Sequence, residues 1–298
     1  MESVIFGGAS AIGWGLSYVT ARTSVRQMGA IRSLLYTEFV SVIMLTLYLI
    51  LVPSLPTTPV SGDLALAVAM AVAAALLSAL AEVLYAKSTE YGKLSIVAPL
   101  SSTYAVVVVV LSVLNGTVLT LLQWVAVAIT LFGVALTAVK RGSVDTTPAS
   151  KATLIGTALA CGSALLWGAS FWLTGVAVVT VLGSALPAWI GSFVMFGVLG
   201  LWIGLAMKRQ GRISLQLPAR GEWGAVLATT VTANVAQIAN NVGLMTANIA
   251  LVSVIGSLAS AVTVVIARLM LREHLTRIQW AGIFLILFGV AVLSAAPG

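Results

Sequence analysis

The sequence predicts an all-α integral membrane protein, with ten transmembrane helices arranged as two inverted five-helix repeats. Three observations carry that expectation: an apolar composition, a regular string of membrane-length segments, and the one-sided placement of every basic residue. Of the 298 residues, 60% are hydrophobic and 8% charged, whereas a soluble domain charges roughly a quarter of its residues to cover its surface. A water-soluble globule and a disordered chain are both excluded. Nucleic-acid binding is excluded as well. The 15 Lys and Arg against 8 Asp and Glu give a net charge of +7, but basic residues spread over so apolar a chain form no groove for phosphates.

A helix needs about 20 mostly apolar residues to cross the hydrocarbon core. Such segments fall near 3–21, 33–52, 64–86, 95–114, 121–139, 153–174, 184–207, 222–243, 249–270 and 277–295. Turn-forming residues mark the breaks, with Pro53, Pro56 and Pro59 in one loop, Asn115 and Gly116 in another, and a polar stretch from Lys140 to Lys151 between the fifth and sixth spans. No room remains for a soluble domain. The first segment is preceded by Glu2 and followed by Arg22, Arg26 and Arg32, the reverse of a secretory signal, and is expected to be a retained membrane helix.

The basic residues sort by loop. Loop 1–2 holds Arg22, Arg26 and Arg32; loop 3–4 holds Lys87 and Lys93; loop 5–6 holds Lys140, Arg141 and Lys151. Loop 7–8 holds Lys208, Arg209, Arg212 and Arg220, and Arg268, Arg272 and Arg277 frame loop 9–10. All 15 lie on one side with 6 acidic residues, against none and 2 on the other. The positive-inside rule makes that side the cytoplasm. Both termini are therefore expected outside, in the plasma membrane, the inner membrane of a bacterial cell.

The halves of the chain resemble each other. Leu119 to Ala135 reads LTLLQWVAVAITLFGVA and Leu275 to Ala291 reads LTRIQWAGIFLILFGVA, identical at 9 of 17 positions at an offset of 156. Trp14-Gly15-Leu16-Ser17-Tyr18 likewise parallels Trp167-Gly168-Ala169-Ser170-Phe171. Such self-similarity signals duplication. Because five helices is an odd number, the second copy must cross the membrane in the opposite sense, a symmetry typical of secondary transporters with a site between the halves.

The stretch Ala250 to Ser294, with its Arg272-Glu273-His274-Leu275-Thr276 turn, Gln279-Trp280-Ala281-Gly282 and Leu287-Phe288-Gly289-Val290, resembles the end of an EamA repeat of the drug/metabolite transporter superfamily. The first repeat, Phe6 to Val139, is similar, but Asn115-Gly116-Thr117 stands where the family's acidic turn would fall. The resemblance implies residues 1–140 and 152–298 as the two repeats, joined by a cytoplasmic linker at 141–151. It also implies export of small metabolites, as in the bacterial amino acid exporters, including those for aromatic amino acids, and a central cavity between spans 1, 3, 4, 6, 8 and 9. The expected partners are a small-molecule substrate and the lipid bilayer. No cofactor and no nucleic acid is expected, and the chain is expected to work as a monomer.

Intramembrane charge is costly and usually functional. With no Lys or Arg near the middle of a span, a phosphate-bearing substrate is disfavoured, and a neutral or zwitterionic one is expected. Helical spacing suggests a lining. Trp14 and Tyr18, like Trp167 and Phe171, are four residues apart and share a face. Ser78, Glu82 and Tyr85 follow one face of the third span, and Asn234, Gln237 and Asn241 belong to the eighth, whose amides need hydrogen-bond partners in hydrocarbon. Ser101 and Ser257 join as small polar candidates in spans 4 and 9, where packing is an equal reading.

Glu82 lies near Lys87 and Glu38 near Arg32, so a structural ion pair is the simpler reading of each. The alternative is a Glu82 that faces the cavity and meets a substrate ammonium group or a proton. Pairing would leave no midplane carboxylate and would tilt the mechanism towards facilitated diffusion. An intramembrane enzyme is the main competing class and is not expected. The sole His274 sits at the wrong depth for a serine protease, and one Cys with one His makes no metal cluster. Cys161, among Ala158, Leu159, Ala160 and Gly162, reads as a buried packing residue.

Overall fold

A computed structural model describes the backbone of residues 2–51, 64–91, 94–138, 151–210, 216–246, 248–270 and 277–295. The proline-marked loop after span 2, the linker at 141–150, and Lys93, Lys140, Arg141, Arg212, Arg272 and His274 lie outside these residues.

The described residues form ten helical spans and no strand. Spans 1, 2 and 3 are Glu2–Met28, Ala30–Leu51 and Leu64–Tyr91. Span 4 is divided into Leu94–Ser102 and Tyr104–Leu114, and span 5 is Leu121–Ala138. Span 6 runs from Lys151–Leu173 through a π-helical turn at Thr174–Val178 to Val179–Leu182. Spans 7 and 8 are Ala185–Gln210 and Arg220–Thr246; span 9 is divided into Ile249–Gly256 and Ala259–Met270; span 10 is Arg277–Ala295. Five spans, the first three with the sixth and seventh, are long and apolar enough to cross a membrane by themselves. Span 8 has the length, but its Thr, Asn and Gln residues lower its hydropathy.

Both repeats turn their first hairpin on a glycine in the left-handed region, Gly29 at φ 80° and Gly183 at φ 73°. A side chain there would be strained. The turn at Gly29 is a single residue long, so span 1 continues past its sequence-expected end near residue 21. Arg22 and Arg26 consequently belong to a helix rather than to a loop.

Packing pairs each span with one of the other half: 1 with 8, 6 with 3, 2 with 7, and 5 with 10. Spans 9 and 4 lie behind spans 1 and 6, respectively. The same exchange of 1 for 6, 3 for 8 and 4 for 9 maps the arrangement onto itself, with 2–7 and 5–10 as the self-paired contacts. Glycine sets how closely the layers approach. A Cβ on Gly15 would lie 2.5 Å from Val262 Cγ1, and one on Gly168 would lie 2.8 Å from the Tyr104 carbonyl oxygen. In span 10, Gly289 abuts Thr130 of span 5 in the same way.

Large apolar side chains point outward, among them Ile12, Phe39, Ile50, Leu80, Leu165 and Phe284, while much of the interior is Ala, Ser and Thr. This inversion of a soluble core suits lipid, where helices associate through small residues and close backbone contact. Cys161 follows the same rule. Contrary to the sequence expectation it is exposed, because its neighbours Ala160, Ser163 and Ala164 take the packed face of span 6.

Candidate functional site

A cavity of about 180 Å³ lies between spans 1, 2 and 3 of the first repeat and spans 6, 7 and 8 of the second. Ten of the twelve residues chosen from the sequence line it: Trp14, Tyr18, Ser78, Glu82, Tyr85, Trp167, Phe171, Asn234, Gln237 and Asn241. Ser101 and Ser257 do not. The Ser101 hydroxyl meets that of Ser163 at 3.0 Å, and the Ser257 hydroxyl donates to the Val254 carbonyl of its own helix at 2.6 Å. Both are packing groups. The glycine crossings hold spans 4 and 9 so tightly behind spans 6 and 1 that they are excluded from the lining, and spans 2 and 7 take their place.

The aromatic residues form two groups in the wall. Trp14, Phe171 and Tyr104 make one, with ring centroids 5.3 Å apart for Trp14–Phe171 and 4.9 Å for Tyr104–Phe171. Tyr104 stands behind Phe171, outside the cavity lining. Tyr18, Tyr85 and Trp167 make the other, at 5.0 Å for Tyr18–Tyr85, 5.2 Å for Tyr85–Trp167 and 6.3 Å for Tyr18–Trp167. The π-helical turn lies just beyond Phe171. Phe171, Thr174 and Val178 all line the cavity along this stretch, in keeping with the frequent placement of such turns at functional sites.

Polar groups cross between the repeats at this level. Ser41 of span 2 donates to Asn234 Oδ1 of span 8 at 2.7 Å and meets Ser192 of span 7 at 2.7 Å. Glu38 lies beside the same Ser192. Ser170 donates to the Ala74 carbonyl at 2.8 Å, with Ser78 at 3.0 Å from its hydroxyl. Gln237 donates to Asn241 Oδ1 at 3.0 Å, and Asn241 donates to the Ser184 carbonyl at 2.7 Å. In the cavity wall the Tyr85 hydroxyl and Asn234 Nδ2 are buried with no partner.

Charge is where the sequence reading needs most correction. The expected pairing of Glu82 with Lys87 is absent; Lys87 pairs with Glu90 at 2.9 Å. Arg32 donates to the Gln216 carbonyl at 2.8 Å instead of meeting Glu38. Both glutamates line the cavity, close enough for their charges to interact. Arg22, assigned to a loop from sequence, is 6% exposed, lines the cavity near Tyr85 and reaches the Thr89 carbonyl at 3.4 Å. The cavity wall thus holds two acids and a base. Helical phase explains the outcome for Glu82: it shares a face with Ser78 and Tyr85, whereas Lys87 is better placed for Glu90, three residues on. Sequence reasoning missed Glu38, Ser41 and Ser192. The signal available was the polar spacing of Glu38 and Ser41 in an otherwise apolar span.

Among the described residues no group of three or more His, Cys, Asp or Glu could hold a metal ion.

The chain matches the EamA-like transporter family over residues 1–139 and again over 154–295. It belongs to that family, and its two matches are the two repeats of the fold. It is thus a multi-pass membrane protein of a transporter family. Among solved structures, one described only as a crystal structure of a protein superposes with a TM-score of 0.73, covering 98% of this chain and 96% of its own. At 13% identity that likeness is one of fold. No curated protein matches.

Proposed function

We propose that the protein exports small zwitterionic metabolites, amino acids including aromatic ones, by alternating access through the cavity between its repeats. The observation that carries this reading is the composition of the wall: Glu38 and Glu82 against Arg22, between aromatic faces and amide and hydroxyl groups. A zwitterion offers one charge to each sign, and its side chain can lie on the rings. The cavity is smaller than the roughly 300–1,000 Å³ of drug-sized ligand sites, which favours a metabolite over a large drug. Rocking of spans 1–3 against 6–8 would open it to each side in turn. The one-sided basic residues support both termini outside and odd-numbered loops in the cytoplasm. The chain acts as a monomer, since each repeat completes the other.

A second reading, proton-coupled efflux, is favoured by the two cavity carboxyls. They remove the ground for preferring facilitated diffusion and give the cavity groups able to bind a proton. Purified protein in liposomes loaded with a panel of labelled amino acids, assayed with and without a pH gradient, tests both readings. Amino acid efflux that accelerates with an inward proton gradient joins the two, and efflux indifferent to the gradient leaves the first alone. No amino acid flux, with flux of a sugar phosphate or a bulky drug, overturns the proposal.

A further inference from the structure

Glu82 holds an unusual position. It lines a cavity within the membrane-spanning core, and among the described residues its carboxylate has no hydrogen bond and no ion pair, while Lys87, the cation next to it in sequence, is committed to Glu90. Glu38, by contrast, lies beside the Ser192 hydroxyl. An uncompensated carboxylate in this setting is expensive, and it persists where a mobile cation completes it. The walls beside it specify which cation. Tyr18 and Tyr85 lie within charge range of Glu82, and with Trp167 they form one continuous aromatic surface. The Tyr85 hydroxyl there is buried without a partner.

A metal ion would require several oxygen ligands, and the described residues offer no acidic group of that size. An organic ammonium is different. It pairs with a single carboxylate while its N-bound or C-bound hydrogens rest on ring faces within about 6 Å of their centroids. Trp is the strongest such face, and Trp167 supplies it. Arg22, the cationic group near Tyr85, lines the same cavity one helical turn beyond Tyr18. It is the cation that the carboxylate end of a zwitterion would meet.

We infer that Glu82, with the aromatic surface of Tyr18, Tyr85 and Trp167, is the subsite that receives the ammonium group of the transported molecule. This assignment rests on the proposed transport of zwitterions and names the end of the substrate that each wall takes. Glu38, Tyr18, Tyr85 and Arg22 are the charged or titratable groups that face Glu82 or its ring wall, and protons compete with the ammonium for the same carboxylate.

The test is calorimetric titration of the detergent-purified full-length protein with three ligands that share one ring: phenylalanine, phenethylamine, which keeps only the ammonium, and hydrocinnamate, which keeps only the carboxylate. The expected result is that Glu82→Gln weakens phenylalanine and phenethylamine at least tenfold and leaves hydrocinnamate unchanged. Tyr85→Phe, which keeps the ring, should weaken phenethylamine less than Tyr85→Leu does. An unchanged size-exclusion profile shows that each variant is folded. Equal weakening of hydrocinnamate, or phenethylamine binding that is indifferent to Glu82→Gln, overturns the subsite. Phenylalanine bound with no dependence on Glu82 would sink the subsite and leave amino acid transport standing. Phenethylamine bound through Glu82 with no binding of phenylalanine would do the opposite.

Discussion

The two glycines that bring spans 9 and 4 behind the cavity helices can be tested by adding one methyl group. In Gly15→Ala the new Cβ would stand 2.5 Å from Val262 Cγ1, 2.6 Å from Val262 Cβ and 3.2 Å from the Ala259 carbonyl oxygen. In Gly168→Ala it would stand 2.8 Å from both Val107 Cγ1 and the Tyr104 carbonyl oxygen. Non-bonded carbons rest at about 3.5–4.0 Å, so either change must push two helices apart by about 1 Å. Overpacking of this kind costs about 1–3 kcal/mol, while exchanging Gly for Ala inside a helix returns up to about 1 kcal/mol. The net expected loss is therefore up to about 2 kcal/mol at each site. Gly200→Ala provides the control, since a Cβ there meets nothing within 4 Å and only the helix-propensity gain remains. Melting of detergent-solubilised protein, followed by size-exclusion after heating, should rank Gly200→Ala above wild type and both crossing variants below it. The crossing variants surviving as well as Gly200→Ala would refute the close-approach argument, and with it the reason that Ser101 and Ser257 lie outside the cavity.

Other changes separate transport from stability. Trp14→Ala and Trp167→Ala should insert and purify normally yet lower reconstituted flux severalfold, and normal flux in both would return the two indoles to a packing role. Asn241→Leu removes the donor to the Ser184 carbonyl and the acceptor for Gln237, both in a partly buried setting. Leaving such groups unsatisfied costs about 1–3 kcal/mol, visible as a lowered melting temperature. Lys87→Ala breaks only a partly exposed pair with Glu90. It should change stability by less than about 1 kcal/mol and leave flux intact, whereas a large loss of flux would mean that Lys87 serves Glu82 after all.

The fold was legible because its determinants are additive along the chain. Apolar length, loop charge and the 156-residue repeat each report on many residues at once, and no single side chain decides them. The same holds for Trp14, Tyr18, Trp167 and Phe171, whose symmetric spacing beside glycine marked one face. Charge was harder, because its placement depends on a few residues of helix length and on phase. Span 1 runs to Met28 only because Gly29 supplies a one-residue turn, and that extension turns Arg22 from a loop cation into a cavity residue. Glu38 and Glu82 each have a basic residue nearby in sequence, but the phase of their helices faces them inward while Arg32 and Lys87 find partners elsewhere. Ser41 and Ser192 become meaningful only where spans 2 and 7 meet, a contact between repeats that one-dimensional spacing does not contain.

The space between spans 1–3 and 6–8 is proposed as the aqueous substrate path, with the outer helix faces meeting lipid. This proposal is tested most directly by thiol accessibility in a Cys161→Ser background, which removes the single native cysteine. Ser78→Cys places a thiol in the cavity wall, and Leu76→Cys places one on the exposed apolar face of the same span. A small charged thiosulfonate reacts with thiolate, which requires water. Ser78→Cys is expected to be modified rapidly, and more slowly with substrate bound, while Leu76→Cys is modified almost not at all. Protection of Ser78→Cys from both sides of the membrane, with Leu76→Cys reactive, would contradict it.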